Sequence, residues 1–167
     1  MPICITPSLS QLERSRVLWM PAVASLEALP SWARELLEAG RVGHLGLLDD
    51  DGRPRVLPVT FAVVDGRVWS AVDDKPKRVA EDRLARLRWL RARPASTLTV
   101  DRYDEDWTRL AWVQIVGETR ILDLPGHEDA LDALAARYPQ YRERAPRGPL
   151  LCLTPDRVVH WRAAQDG

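Results

Sequence analysis

Between Val42 and Val72 the chain writes three strand-like runs separated by two Asp/Gly turns. Val42–Leu48 is the first, and Asp49-Asp50-Asp51-Gly52 breaks it. Arg55–Val64 reads as the second, Asp65-Gly66 as a two-residue turn, and Arg67–Val72 as the third. An Asp-Gly pair between alternating apolar residues is a strong signal for a tight antiparallel hairpin, because both residues tolerate positive φ. Connections this short exclude parallel pairing, which needs a long crossover. Pro58 falls inside the second run. It has no N–H to give a ladder, so its place should be an edge or a bulge. Gly43 and Gly46 in the first run point to close backbone approach or a barrel corner.

The rest of the chain continues the pattern. Ser31 reads as the N-cap of a short helix that stops at Gly40. Ala80, Leu84, Leu87 and Leu90 recur at helical spacing, and Arg93-Pro94 ends that helix. Ala95–Arg102 alternates as a fourth strand, and Arg109–Leu122 is a fifth with Gly117 as an expected bulge. A helix is predicted over His127–Tyr138, and Leu150–Leu153 and Arg157–Trp161 read as a closing pair of strands around Pro155-Asp156. Six or seven antiparallel strands with short helices inserted predict a small β-barrel, mainly β with some α. Residues 1–30 carry little pattern and are read as an extension, with 31–167 as one domain.

Composition removes several function classes. The 24 Lys plus Arg balance the 24 Asp plus Glu, so there is no global field to hold nucleic acid. The helix carrying Arg83, Arg86, Arg88 and Arg91 is basic, but Glu81 and Asp82 interleave with it, which speaks against nucleic acid; the face reads either as solvated or as an attraction for an acidic tail on a ligand. Cys4 and Cys152 lie in no CxxC, and three scattered histidines (His44, His127, His160) make no metal pattern. No GxSxG marks a hydrolase. No apolar run approaches a membrane span of about 20 residues, and no secretory signal is seen, so a cytoplasmic location is expected.

One segment stands out chemically. Asp73-Asp74-Lys75-Pro76-Lys77-Arg78 contains the only lysines of the chain, Lys75 and Lys77; every other basic side chain is Arg. Lysine acts on phosphate as a compact point charge, where arginine offers a planar fork. Pro76 suits the first turn of a helix, whose free N–H groups lie at the positive end of the dipole. The segment reads either as an anion site or as a solvated helix start.

Taken in order, Asp51-Gly52-Arg53-Pro54, Val59-Thr60-Phe61, Ala71–Arg78, Leu87-Arg88-Trp89-Leu90, Asp101–Arg109 and Arg137-Tyr138-Pro139-Gln140-Tyr141 form a familiar succession. In these motifs the chain resembles the split-β-barrel flavin and deazaflavin proteins related to pyridoxamine 5′-phosphate oxidase, most closely their coenzyme F420-dependent branch. The resemblance runs from about Trp32 to Trp161. It implies a homodimer with cofactor in clefts between the subunits, and hydride transfer to a small conjugated or quinone-like acceptor. By position it places the cofactor ring along Pro58, Val59, Thr60 and Phe61 and along Ser70, Ala71 and Val72, held chiefly by backbone, with the Thr60 and Ser70 hydroxyls either bonding the ring edges or serving as ordinary strand side chains. It places the phosphate on Lys75, Lys77 and Arg78, and brings Trp107 from the neighbouring subunit either to the cleft or into dimer-interface packing. Trp69 is a second candidate wall, and Tyr103 a candidate proton donor or interface residue. F420 is the expected cofactor, FMN the alternative of the same fold, and a non-catalytic binding protein the alternative of another class. No catalytic side chain is required, since hydride chemistry belongs to the cofactor. His44-Leu45-Gly46 departs from the small or hydroxyl residues usual in the first strand.

Overall fold

The computed structural model describes residues 20–72 and 81–163. Among them, eight strands make one antiparallel sheet: β1 (Ala22–Val23), β2 (Gly43–Leu48), β3 (Pro54–Val59), β4 (Ala62–Val64), β5 (Arg67–Ala71), β6 (Ala95–Arg102), β7 (Ala111–Leu122) and β8 (Leu150–Arg162). The order across the sheet is β3-β2-β6-β7-β8-β5-β4, with β1 paired to β8. β3 and β4 stand at opposite ends of that order, yet only Thr60 and Phe61 separate them in the chain. Three Cα steps reach at most about 11 Å. The sheet therefore has to curl until its two ends meet, giving a barrel split between β3 and β4. This is the split barrel expected, with eight strands rather than six or seven.

Two strand predictions are corrected. Arg55–Val64 is not one strand: the chain leaves the ladder at Thr60-Phe61 and crosses the split. Leu150–Leu153 and Arg157–Trp161 are one strand, β8, that runs straight through Pro155-Asp156. The register shifts there, with Val116 opposite Arg157 and Gly117 opposite Pro155, so Asp156 is the extra residue of a bulge. Gly117 is needed at that spot because a Cβ would come within 2.0 Å of the Thr154 carbonyl oxygen. Pro58 does lie on an edge strand, opposite His44.

The barrel interior is closely packed. Leu45, Leu98, Val100, Val113, Ile115 and Val158 are each at most 4 % exposed. Leu45 and Leu98 line, with Val59, Val68, Ser70 and Thr119 among others, a void of about 10 Å³, room for about one water molecule. Ser96 and Thr119 share a hydroxyl hydrogen bond of 2.7 Å inside the barrel. Helix α1 (Ser31–Ala39) buries Ala33, Leu36 and Leu37 against this core. It begins after Pro30, whose carbonyl accepts from Ala33 and Arg34; Ser31 is its first helical residue and makes no side-chain cap, against expectation. The described part of the presumed extension also belongs to the barrel. Ala22 and Val23 pair with Val159 and Val158, and Leu26 and Leu29 are buried.

Helix α2 (Glu81–Ala92) buries Leu87 and Leu90, each contributing roughly 1.5–3 kcal/mol. Arg88 Nε and Trp89 Nε1 donate to the Asp50 carboxylate at 3.2 and 3.0 Å, which ties the helix to the β2–β3 turn and commits Arg88 there. Those bonds hold the Asp50 carboxyl below its ordinary range, Arg88 contributing most. Helices α3 (Glu128–Arg137) and α4 (Pro139–Glu143) pack a second apolar cluster on β4 and β5. No helix of the described residues is long and apolar enough to cross a membrane.

Candidate cofactor site

The split leaves β3 and β4 each with a free edge, and the residues expected at the cofactor ring lie around it. Its centre is the crossover Thr60-Phe61. Tyr138, at the end of α3, accepts the Phe61 N–H at 2.9 Å and gives its own proton to the Phe61 carbonyl at 2.9 Å or the Arg41 carbonyl at 3.2 Å. Tyr141, on α4, shares a 2.7 Å hydrogen bond with the Thr60 hydroxyl. The Arg137 guanidinium lies 4.9 Å over the Phe61 ring and donates to the Leu37 and Gly40 carbonyls. The Arg137-Tyr138-Pro139-Gln140-Tyr141 motif is thus a clamp on the crossover. The sequence displays the motif but not this role, because its target lies some eighty residues away.

The expected ring-binding residues come together, though not by their side chains. Ala62 pairs with Trp69, which sets the crossover beside the Ser70 end of β5. Pro58 is exposed on the outer face and Thr60 is half-buried, while Val59, Phe61, Ser70, Ala71 and Val72 are buried. Ser70 lines the small internal void, so its hydroxyl turns inward, away from any ligand on the outside. Trp69 is covered as well: it is 6 % exposed, packs 5.1 Å from the His127 ring, and donates to the Val64 carbonyl. It does not wall a surface site. Lys75, Lys77 and Arg78 lie outside the described residues.

What remains on offer is backbone. β3 is an edge strand, so alternate N–H and C=O groups turn away from β2 without a ladder partner. β4 covers β5 from Arg67 to Trp69 and stops short of Ser70 and Ala71. Such a donor set fits a flat ring held through its edge heteroatoms, and it fits an isoalloxazine and a deazaflavin equally.

The outer face of β2, β3, β6, β7 and β8 adjoins this corner. His44, Gly46, Val56, Pro58, Thr99, Gln114, Trp112 and Trp161 alternate outward along it and remain half-exposed or exposed. Val56 is 65 % exposed, a large apolar side chain left in water. His44 Nδ1 stands 3.5 Å from Asp101 Oδ1. Beyond Asp101 the chain makes a tight loop. Asp106 accepts from Thr108 N–H and hydroxyl, which lowers its pKa, and Asp104 pairs with Arg109 at 3.1 Å. This fixed loop presents Tyr103 and Trp107, 70 % and 72 % exposed, to solvent. A cleft of about 760 Å³ runs between it and α1, lined by Trp32, Asp101, Arg102, Tyr103, Arg109 and Arg162.

Comparison with known proteins supplies the family. No curated protein matches the sequence. Solved structures that share the fold include a conserved hypothetical protein from Mycobacterium tuberculosis, at TM-score 0.65 and 17% identity over 84% of this chain and 93% of that one. A FAD-binding protein from Mesorhizobium loti aligns at TM-score 0.59 and 22% identity, over 87% of this chain and 99% of that one. The heme storage protein HutZ from Vibrio cholerae aligns at TM-score 0.61 and 13% identity, over 78% and 93%. At these identities the likeness concerns the fold alone. The sequence profile of the family described as pyridoxamine 5′-phosphate oxidase matches residues 29–162, from the foot of α1 to the last residue of β8, and the chain belongs to that family.

Proposed function

We propose that the protein is an oxidoreductase working as a homodimer, with a phosphate-bearing flavin-type cofactor lying on the outside of the barrel at the split. Coenzyme F420 is the preferred cofactor and FMN the alternative. The observation that carries this reading is the packed interior of a chain of this family: a void of about 10 Å³ takes no cofactor, which supports a ring lying on the outside, against the corner where β3 and β5 leave backbone groups unpaired. The exposed Val56, Trp107 and Trp161 support a second subunit covering that face. The preference for F420 rests on the sequence motifs, since the donors at the split suit either ring.

When bound, the cofactor supplies the hydride. The chain's own part is to bind and orient. Lys75, Lys77 and Arg78 are the proposed phosphate ligands, and the Tyr138–Tyr141 clamp keeps the crossover from shifting under the ring. A second reading is a binding protein without turnover, favoured by the fold shared with a protein named for heme storage.

The test is the charge-reversed variant Lys75→Glu/Lys77→Glu, with fluorescence titration of FMN and of F420. Loss of binding of both, with an unchanged thermal transition, is expected. Unchanged affinity removes the phosphate assignment. A loaded wild type that passes hydride to no quinone or enone favours the second reading.

A further inference from the structure

His44 and Asp101 take no part in the roles assigned so far. His44 sits outward on β2, and the ladder sets it directly opposite Pro58 of β3 and Thr99 of β6. Pro58 is the outward-facing residue of the segment proposed to carry the ring, so the imidazole lies beside that ring's place. Its Nδ1 faces Asp101 Oδ1 at 3.5 Å, a separation long for a hydrogen bond and common in catalytic pairs before a ligand closes them. The two side chains are 46 % and 48 % exposed, open to a ligand rather than locked in the core. A carboxylate on Nδ1 fixes the ring's orientation and leaves Nε2, on the opposite side, for a reacting group. From the strands flanking His44, the outward residues nearest it are Val56, Pro58, Thr97, Thr99 and Asp101. Among these, Asp101 carries the charge.

Hydride transfer by itself leaves a conjugated carbonyl or quinone as an anion, one proton short. We propose that His44, positioned by Asp101, donates that proton. This inference rests on the oxidoreductase reading. The acceptor gains two electrons and a hydrogen as hydride from the reduced flavin or deazaflavin, which is oxidised by two electrons. The imidazolium Nε2–H bond breaks as the acceptor's O–H bond forms, and the neutral imidazole recovers a proton from water. His44 is then the catalytic residue and Asp101 a positioning residue.

The experiment uses the full chain as wild type, His44→Gln and Asp101→Ala, with reduced FMN or F420 and menadione as the acceptor. Cofactor affinity, read by ring fluorescence, is expected to stay within twofold in both variants. A proton donor to the acceptor makes the wild-type rate expected to decline as pH rises. His44→Gln is expected to lose that decline and at least about tenfold in kcat. Ring-nitrogen NMR of the unloaded protein supplies an independent readout: neutral His44 should carry its proton on Nδ1 in wild type and shift toward Nε2 in Asp101→Ala. A loss of less than tenfold, or an unchanged pH profile, in a His44→Gln protein that still binds cofactor overturns the proposal and leaves the oxidoreductase reading intact. An Nε2–H tautomer in wild type overturns the role of Asp101. Failure of wild type to bind either cofactor, or to reduce menadione once loaded, brings down the reading itself and the proposal with it.

Discussion

Replacing Tyr138 with Phe removes one oxygen and tests whether the clamp holds the crossover. Tyr138 is 3 % exposed and Phe61 0 %, so water cannot take the place of the lost hydroxyl without a rearrangement. The Phe61 N–H and C=O, both now bonded at 2.9 Å, would be left unpaired. An orphaned buried polar group costs about 1–3 kcal/mol, so two such groups should cost about 3 kcal/mol after partial relaxation. For a chain of this length that is a fall in Tm of roughly 6–12 °C. Tyr141→Phe is the comparison: it removes a hydroxyl bonded to Thr60, which is half-buried and can turn to water, and it should cost less than Tyr138→Phe. Urea unfolding followed by tryptophan fluorescence, at one fixed protein concentration, measures both. The midpoint should fall with the slope unchanged. A Tyr138→Phe protein no less stable than Tyr141→Phe would refute the argument that this hydroxyl fixes the crossover.

Three further outcomes follow from the packing. Gly117→Ala drives a Cβ to 2.0 Å from the Thr154 carbonyl and should cost about 3 kcal/mol or prevent soluble folding, read by the same unfolding curves. Ser96→Ala strands the Thr119 hydroxyl, 2 % exposed, and should cost about 1–2 kcal/mol; adding Thr119→Val should recover most of it, a non-additivity that a double-mutant cycle resolves. His160 is packed edge-on to Trp32, and burial lowers its pKa in the fold. The unfolded chain therefore binds the proton more readily, and His160 contributes stability above the ordinary histidine value of about 6.5 that is lost as pH falls through the lowered folded value. His160→Gln should flatten that acidic limb of the stability curve, and an unchanged limb would assign it to other groups.

Much of the fold was legible where local chemistry decides it. Asp65 and Gly66 both take positive φ, 49° and 67°, as the hairpin pattern requires. Pro58 announced an edge because no central strand tolerates its missing N–H. The misreadings come from places where the same residues serve two structures. Thr60 and Phe61 continue the apolar alternation without a glycine or proline, so nothing local marks the crossing of the split. Pro155-Asp156 has the look of a turn and is a bulge, because its meaning is set by Gly117 on the neighbouring strand. The candidate site is harder still. The side chains of the two segments named for the ring turn mostly inward, which follows from barrel curvature rather than from residue type. The clamp and the His44–Asp101 pair depend on strand order, β2 beside β6 and α3 against β4, and order is not written in any short stretch of sequence.

The most direct test of the account is a binding titration of the purified protein with F420 and, separately, with FMN, following ring fluorescence at two salt concentrations. The account predicts saturable binding of both, tighter for F420 and more steeply weakened by salt because of its acidic oligoglutamate tail. A folded protein that binds neither would contradict the central claim.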